Sequence, residues 1–128
     1  MTPLTLILVL KVSVTMLTIV VPFLFFSRGK IDVLLGMRSE SSTLYRLYGV
    51  GILALLVAYA GGIYQIAQGD LPVGVIAMGL VSNFGGTATL ILTGGFKRNK
   101  FHTFFFGFIA LCLAFVALNP EVSIVPIY

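Results

Sequence analysis

Four apolar stretches follow one another along this chain, at 4–26, 44–66, 72–95 and 101–118, with only short hydrophilic gaps between them. A helix rising 1.5 Å per residue needs roughly 20 apolar residues to cross about 30 Å of hydrocarbon, so each stretch is near the length of one crossing. Hydrophobic residues make up 59% of the chain and charged residues 9%. Soluble domains carry about a quarter charged residues. The expectation is an all-α integral membrane protein: a single domain over 1–128, folded as a four-helix bundle of antiparallel, up-down topology.

Of eight basic residues, all but Lys11 fall in or beside the first and third gaps. Arg28, Lys30, Arg38 and Arg46 lie at the first, and Lys97, Arg98 and Lys100 at the third. Four crossings put those gaps on one side, and basic loops remain cytoplasmic. The sequence therefore predicts loops 27–43 and 96–100 in the cytoplasm, both termini on the non-cytoplasmic side, and a bacterial inner membrane as the setting. The net charge of +4 is read as this orientation signal and as attraction to anionic headgroups, with no role for nucleic acid. Residues 1–26 have no basic region ahead of the apolar run and no small-residue cleavage site after it, so they are read as a retained spanning helix.

Lys11 is the one charge inside a crossing. It lies about seven residues, or roughly 10 Å, from the start of its segment, a depth from which a lysine stem reaches the outer interface by snorkelling. The competing reading is a buried ammonium held by a counter-ion or a substrate anion, with Asp70 and Glu121 as candidate ion-pair partners at the same level. Lys11, Thr15, Thr18 and Pro22 are spaced to share one helical face, and Pro22 is expected to bend the helix near its inner end. In the third segment Gly79, Ser82, Asn83, Gly86, Thr89 and Thr93 share a side, and Asn83, near mid-membrane, needs a partner on another helix or on its own backbone. Lys11, Thr15, Thr18, Ser82 and Asn83 are the intramembrane polar candidates.

Small residues recur at Ala54, Ala58 and Gly62, and again at Gly107, Ala110, Ala114 and Ala117, faces that let membrane helices approach closely. Nine of the eleven phenylalanines belong to the inner half, which raises the question of an aromatic pocket for a quinone, pigment or lipid around Phe104, Phe105 and Phe108. His102 is the one histidine and Cys112 the one cysteine. His102 is read as a headgroup contact, Cys112 as a packing residue, and no multi-histidine metal site can be built. Nucleophile, base and orienting acid are absent as a set, so no enzyme, metal or cofactor is expected. No acidic residue lies inside a crossing, which argues against a proton-coupled carrier. The expected function is that of an accessory, assembly or scaffolding subunit, packed against membrane lipids and other membrane subunits or copies of itself. The alternatives are a small-solute transporter or channel lined by the polar faces of the first and third helices, and a binder of a hydrophobic ring ligand.

Overall fold

The structure is a computed structural model that describes residues 1–127, and these are helical with no strand among them. Four helices are long and apolar enough to cross a membrane: α1 (Pro3–Phe25), α3 (Ser42–Ala67), α4 (Val73–Leu92) and α6 (Lys100–Leu118). Short helices α2 (Arg28–Leu35), α5 (Gly95–Arg98) and α7 (Pro120–Ser123) fill the basic loops and the tail. Starts are set by side-chain caps. Thr2 accepts from the amide of Thr5 ahead of Pro3, Ser27 from Lys30, Ser41 from Thr43 and Asn99 from His102, each satisfying an amide that has no partner within its helix. The apolar run at 72–95 stops being one helix at Leu92 because Gly94 turns left-handed, at φ 76°.

Pro22 changes α1 by widening it. Residues Met16–Val20 form a π turn in which the Val21 amide bonds back to the Met16 carbonyl. Proline has no amide for the carbonyl four residues earlier and its ring collides with it, and a wider turn ahead of it relieves that collision. The extra residue also rotates the rest of the helix beyond it. The buried face of α1 runs Leu4, Leu8, Lys11, Thr15 and then Ile19, Val20, Pro22 and Phe23. Thr18 falls beside that face and spends its hydroxyl on the Val14 carbonyl at 2.8 Å.

Helices meet where glycine removes a side chain. A Cβ on Gly49 of α3 would lie 3.0–3.1 Å from Leu24 Cδ2 and Phe23 Cβ of α1, and one on Gly62 would lie 3.3 Å from Leu8 Cδ1. Residues late in α1 thus sit beside the start of α3, and early ones beside its end. In the same manner Gly79 of α4 lies against Leu113 of α6, and Gly86 against Phe106. The face that α3 buries is Tyr45, Gly49, Leu56, Tyr59, Gly62 and Ile66. Ala54 is exposed and Ala58 only partly covered, because large side chains between two glycines fill this contact better than a row of small ones. On α6 the buried stripe is His102, Phe106, Ile109, Leu113 and Val116, which includes none of the Gly107, Ala114 and Ala117 seam; Ala110 alone of those four is buried.

The two basic loops meet at one end, where a Cβ on Gly36 would lie 3.1 Å from Arg98 Cβ. Arg46 ties that end of α1 to α3, donating to the carbonyls of Phe23 at 2.6 Å and Phe26 at 2.7 Å. Asp32 accepts from the Tyr45 hydroxyl and from the Ser39 amide. At the other end the Ile127 amide donates to the Met1 carbonyl at 2.9 Å. Outward faces are apolar, with Leu17, Leu44, Val57, Val81, Leu92, Leu111 and Leu118 all exposed, as hydrocarbon contact requires.

Two glycines on one helix separate packing from lipid contact. Gly49→Leu is expected to lower the thermal unfolding midpoint in mild detergent, by an overpacking cost of about 1–3 kcal/mol or more. Gly51→Leu, at a position with nothing within 4 Å, should leave the midpoint unchanged.

Candidate functional site: a buried lysine and its polar chamber

Lys11 is the ninth residue of α1, about 12 Å along its axis. Its side chain does not snorkel: it is 5% exposed and turned into the protein. The ammonium donates to Asn83 Oδ1 at 2.9 Å and stands over the rings of Phe106, 4.5 Å from the centroid, and Phe105, at 5.2 Å. Cation–ring contacts of this kind contribute about 0.5–2 kcal/mol when desolvated. Asp70 and Glu121 take no part. Both are exposed at helix ends, and neither reaches Lys11. The ion-pair reading is therefore replaced by a charge–amide hydrogen bond, for the physical reason that both acids sit in water while the lysine sits a dozen ångströms deep.

Asn83 is held from three directions. Its Nδ2 donates to the Gly79 carbonyl, one turn back on α4, at 2.7 Å and to the Tyr59 hydroxyl at 3.1 Å. Because a carbonyl can only accept, the amide nitrogen must face Gly79, and that turns Oδ1 toward Lys11. A weaker contact runs from Nδ2 to Ser82 Oγ at 3.4 Å. The Asn83 backbone carbonyl accepts from Thr87 at 2.7 Å. Lys11 on α1, Tyr59 on α3 and Asn83 on α4 thus join three helices through one amide.

These groups line a cavity of about 40 Å³, with Thr15, Ser82 and Ile19 in its wall and Tyr48 on its rim. A volume of that size holds about one or two water-sized groups. Thr15 is 1% exposed and its hydroxyl has no hydrogen-bond partner. Apolar clusters flank the chamber toward both ends of the helices. Leu4, Leu8, Ile109, Leu113 and Val116 pack on the side of the termini. Ile19, Phe23, Ile31 and Tyr45 pack on the side of the basic loops.

Other sequence candidates lie elsewhere. Thr18 is bonded to its own helix. Phe104 and Phe108, one turn apart, face outward at 66% and 55% exposed, so they do not converge with Phe105 and no aromatic pocket forms from the three. Phe105 and its neighbour Phe106 are the rings that reach the lysine. His102 is buried, in place of the headgroup contact its position suggests. Its Nδ1 lies 2.9 Å from Asn99 Oδ1, an oxygen that also accepts from the His102 amide. That oxygen makes Nδ1 the protonated nitrogen and leaves Nε2 a buried acceptor with no partner. No cluster of metal-ligating side chains occurs among the described residues.

Tyr59 and Phe106 are absent from the candidates that the sequence suggests. Tyr59 shares a face with Gly49, Leu56, Gly62 and Ile66, and that glycine-flanked spacing is the one signal that points to it.

The fold and site define a class: an all-helical integral membrane protein with a charged, partly hollow interior. No family model, curated protein or solved structure matches the chain.

Removing one partner at a time apportions the site. Asn83→Leu, which leaves the buried ammonium without an acceptor, is expected to cost about 3 kcal/mol or more, since an unsatisfied buried group costs about 1–3 kcal/mol and a charged one more. The double variant Lys11→Met with Asn83→Leu should cost less than Asn83→Leu alone. Equilibrium unfolding in detergent of the two single variants and the double reads this coupling.

Proposed function

We propose that this chain is a non-enzymatic membrane protein that binds a small polar solute inside the bilayer and passes it across. The observation that carries the reading is the hollow beside Lys11. A protein that needed only to anchor its helices would fill that space with side chains, since interiors pack to crystal-like density. Here a lysine, a tyrosine, an asparagine and an unpaired threonine hydroxyl meet at an opening instead. Charged groups at this depth cost several kcal/mol and mark solute pathways. The apolar clusters on either side favour an occluded carrier site over an open pore.

On this reading the chain is an up-down, antiparallel four-helix bundle in a bacterial inner membrane. Loops 27–43 and 96–100 are cytoplasmic and both termini lie on the other side. Support comes from the meeting of Gly36 with Arg98 at one end and of Ile127 with Met1 at the other, together with the basic charge of the first end. A second reading, an accessory or self-associating subunit, is favoured by one observation. Gly51 and Gly61 on α3 and Gly74 and Gly85 on α4 face outward with nothing within 4 Å, leaving room for another helix to approach.

Two measurements test these statements. In liposomes, uptake of a panel of small polar solutes should include at least one whose flux falls tenfold or more in Lys11→Met; flux of every solute indifferent to that change sinks the carrier reading. In a Cys112→Ser background, Ser39→Cys should be shielded from an impermeant thiol reagent in intact cells and Gly69→Cys labelled, and the reverse pattern would invert the topology.

A further inference from the structure

The chamber beside Lys11 is unbalanced in both charge and hydrogen bonding. Its ammonium has three N–H donors, and Asn83 Oδ1 takes one. Four acidic residues exist in the chain: Asp32 and Glu40 in the first basic loop, Asp70 in the turn before α4, and Glu121 in α7. None lies inside a long helix. The Phe105 and Phe106 rings lie beside the ammonium, and the other polar groups lining the chamber are the hydroxyls of Thr15, Tyr48, Tyr59 and Ser82. Tyr59 already accepts from Asn83 Nδ2, so what its hydroxyl has left to offer is a proton. Thr15, 1% exposed, has a hydroxyl with no partner at all. The one strong acceptor present, Asn83 Oδ1, is taken.

A desolvated positive charge without a counter-charge costs several kcal/mol in a membrane interior. Water in the chamber would satisfy hydrogen bonds and leave that charge uncompensated. A cation would meet repulsion from Lys11. An organic acid of any length would not fit about 40 Å³. What suits the space, the sign and the donor set together is a compact anion that accepts hydrogen bonds from several directions.

We propose that this chamber is an anion site and takes a small inorganic monoanion of halide size, bound by Lys11 Nζ with the hydroxyls of Thr15 and Tyr59 completing its shell. The inference rests on the solute-binding reading above and names the class of solute. Asn83 does not touch the ion in this scheme. It is a positioning residue that aims the ammonium, and its own amide is fixed by Gly79 and Tyr59.

The test uses the full chain in mild detergent, with chloride and bromide as probes and gluconate at equal ionic strength as the control for screening. The chain has no tryptophan and five tyrosines, so the Tyr59 share of the tyrosine emission is taken as the difference from Tyr59→Phe, and calorimetry reports binding directly. Chloride should give a saturable change in emission and a raised thermal midpoint. Thr15→Val, which keeps shape and removes the hydroxyl, should weaken binding about tenfold, and Lys11→Met should abolish it. Because Lys11→Met could disturb folding, the decisive variant is Asn83→Asp. It supplies a built-in counter-charge at the same position while losing the amide's donation to the Gly79 carbonyl and the Tyr59 hydroxyl; a helical spectrum and a cooperative thermal transition show that it has folded, and the folded variant should lose the chloride response. A chloride response that persists in Asn83→Asp overturns the proposal. So does the absence of any difference between chloride and gluconate in the unmodified chain. In that case, Lys11-dependent binding of a neutral probe such as urea would keep the solute-site reading and remove the anion, whereas binding of neither probe would remove both.

Discussion

Keeping one ammonium group in the middle of a membrane protein governs how the remainder is arranged. The hydrogen bond from Lys11 to Asn83 spans α1 and α4, and it holds only if the asparagine presents its oxygen. That orientation depends on the Gly79 carbonyl and the Tyr59 hydroxyl. Gly79 must in turn lack a side chain, since a Cβ there would lie 2.9 Å from the Tyr59 hydroxyl and 2.5 Å from Leu113 Cδ1. One charge therefore fixes the identity of a glycine, the rotation of α4 and the depth at which α3 docks. Hydrogen bonds between membrane helices average only about 0.6 kcal/mol. This one differs because its donor is ionised and buried, so the alternative to forming it is far worse than the alternative for a serine or threonine.

The charges at the loop end do more than orient the chain. Arg46 satisfies two carbonyls at the end of α1 that have no amide within the helix, which the helix would otherwise leave bare near the hydrocarbon boundary. Arg28 donates to the Glu40 carbonyl at 2.7 Å, and Asp32 gathers Tyr45 and Ser39. The loop at 27–43 is thereby built as a structured cap around α2, with Gly36 adopting φ 65° to end that helix.

Much of this architecture is legible in the sequence because a bilayer simplifies the code. Four apolar lengths announce four long helices, and any polar residue within them stands out, as Lys11, Thr15, Ser82 and Asn83 do. Their pairing is not legible, since it depends on how far α1 slides against α4, and no local pattern encodes that. Depth in the membrane groups Phe104 and Phe108 with Phe105, yet depth does not say which side of a helix a residue occupies; exposure separates them by about a quarter turn. Tyr59 stays hidden because tyrosines in membrane helices commonly mark the interfaces, while a tyrosine at mid-helix has to hydrogen-bond inward. Regular helical counting misplaces Thr18, because such counting fails wherever a turn holds an extra residue.

That extra residue, at the π turn before Pro22, makes the inventory of the chamber a matter of chain length. Were the same residues to run on in regular α periodicity, every position after the turn would be carried round by about 100°. Thr18, seven residues after Lys11, would then fall on the face of Lys11 and Thr15. The hydrophilic column would lengthen toward the basic loops without a single polar group being added. In this helix an insertion does the work usually ascribed to a substitution, setting where the water-like part of the interior stops.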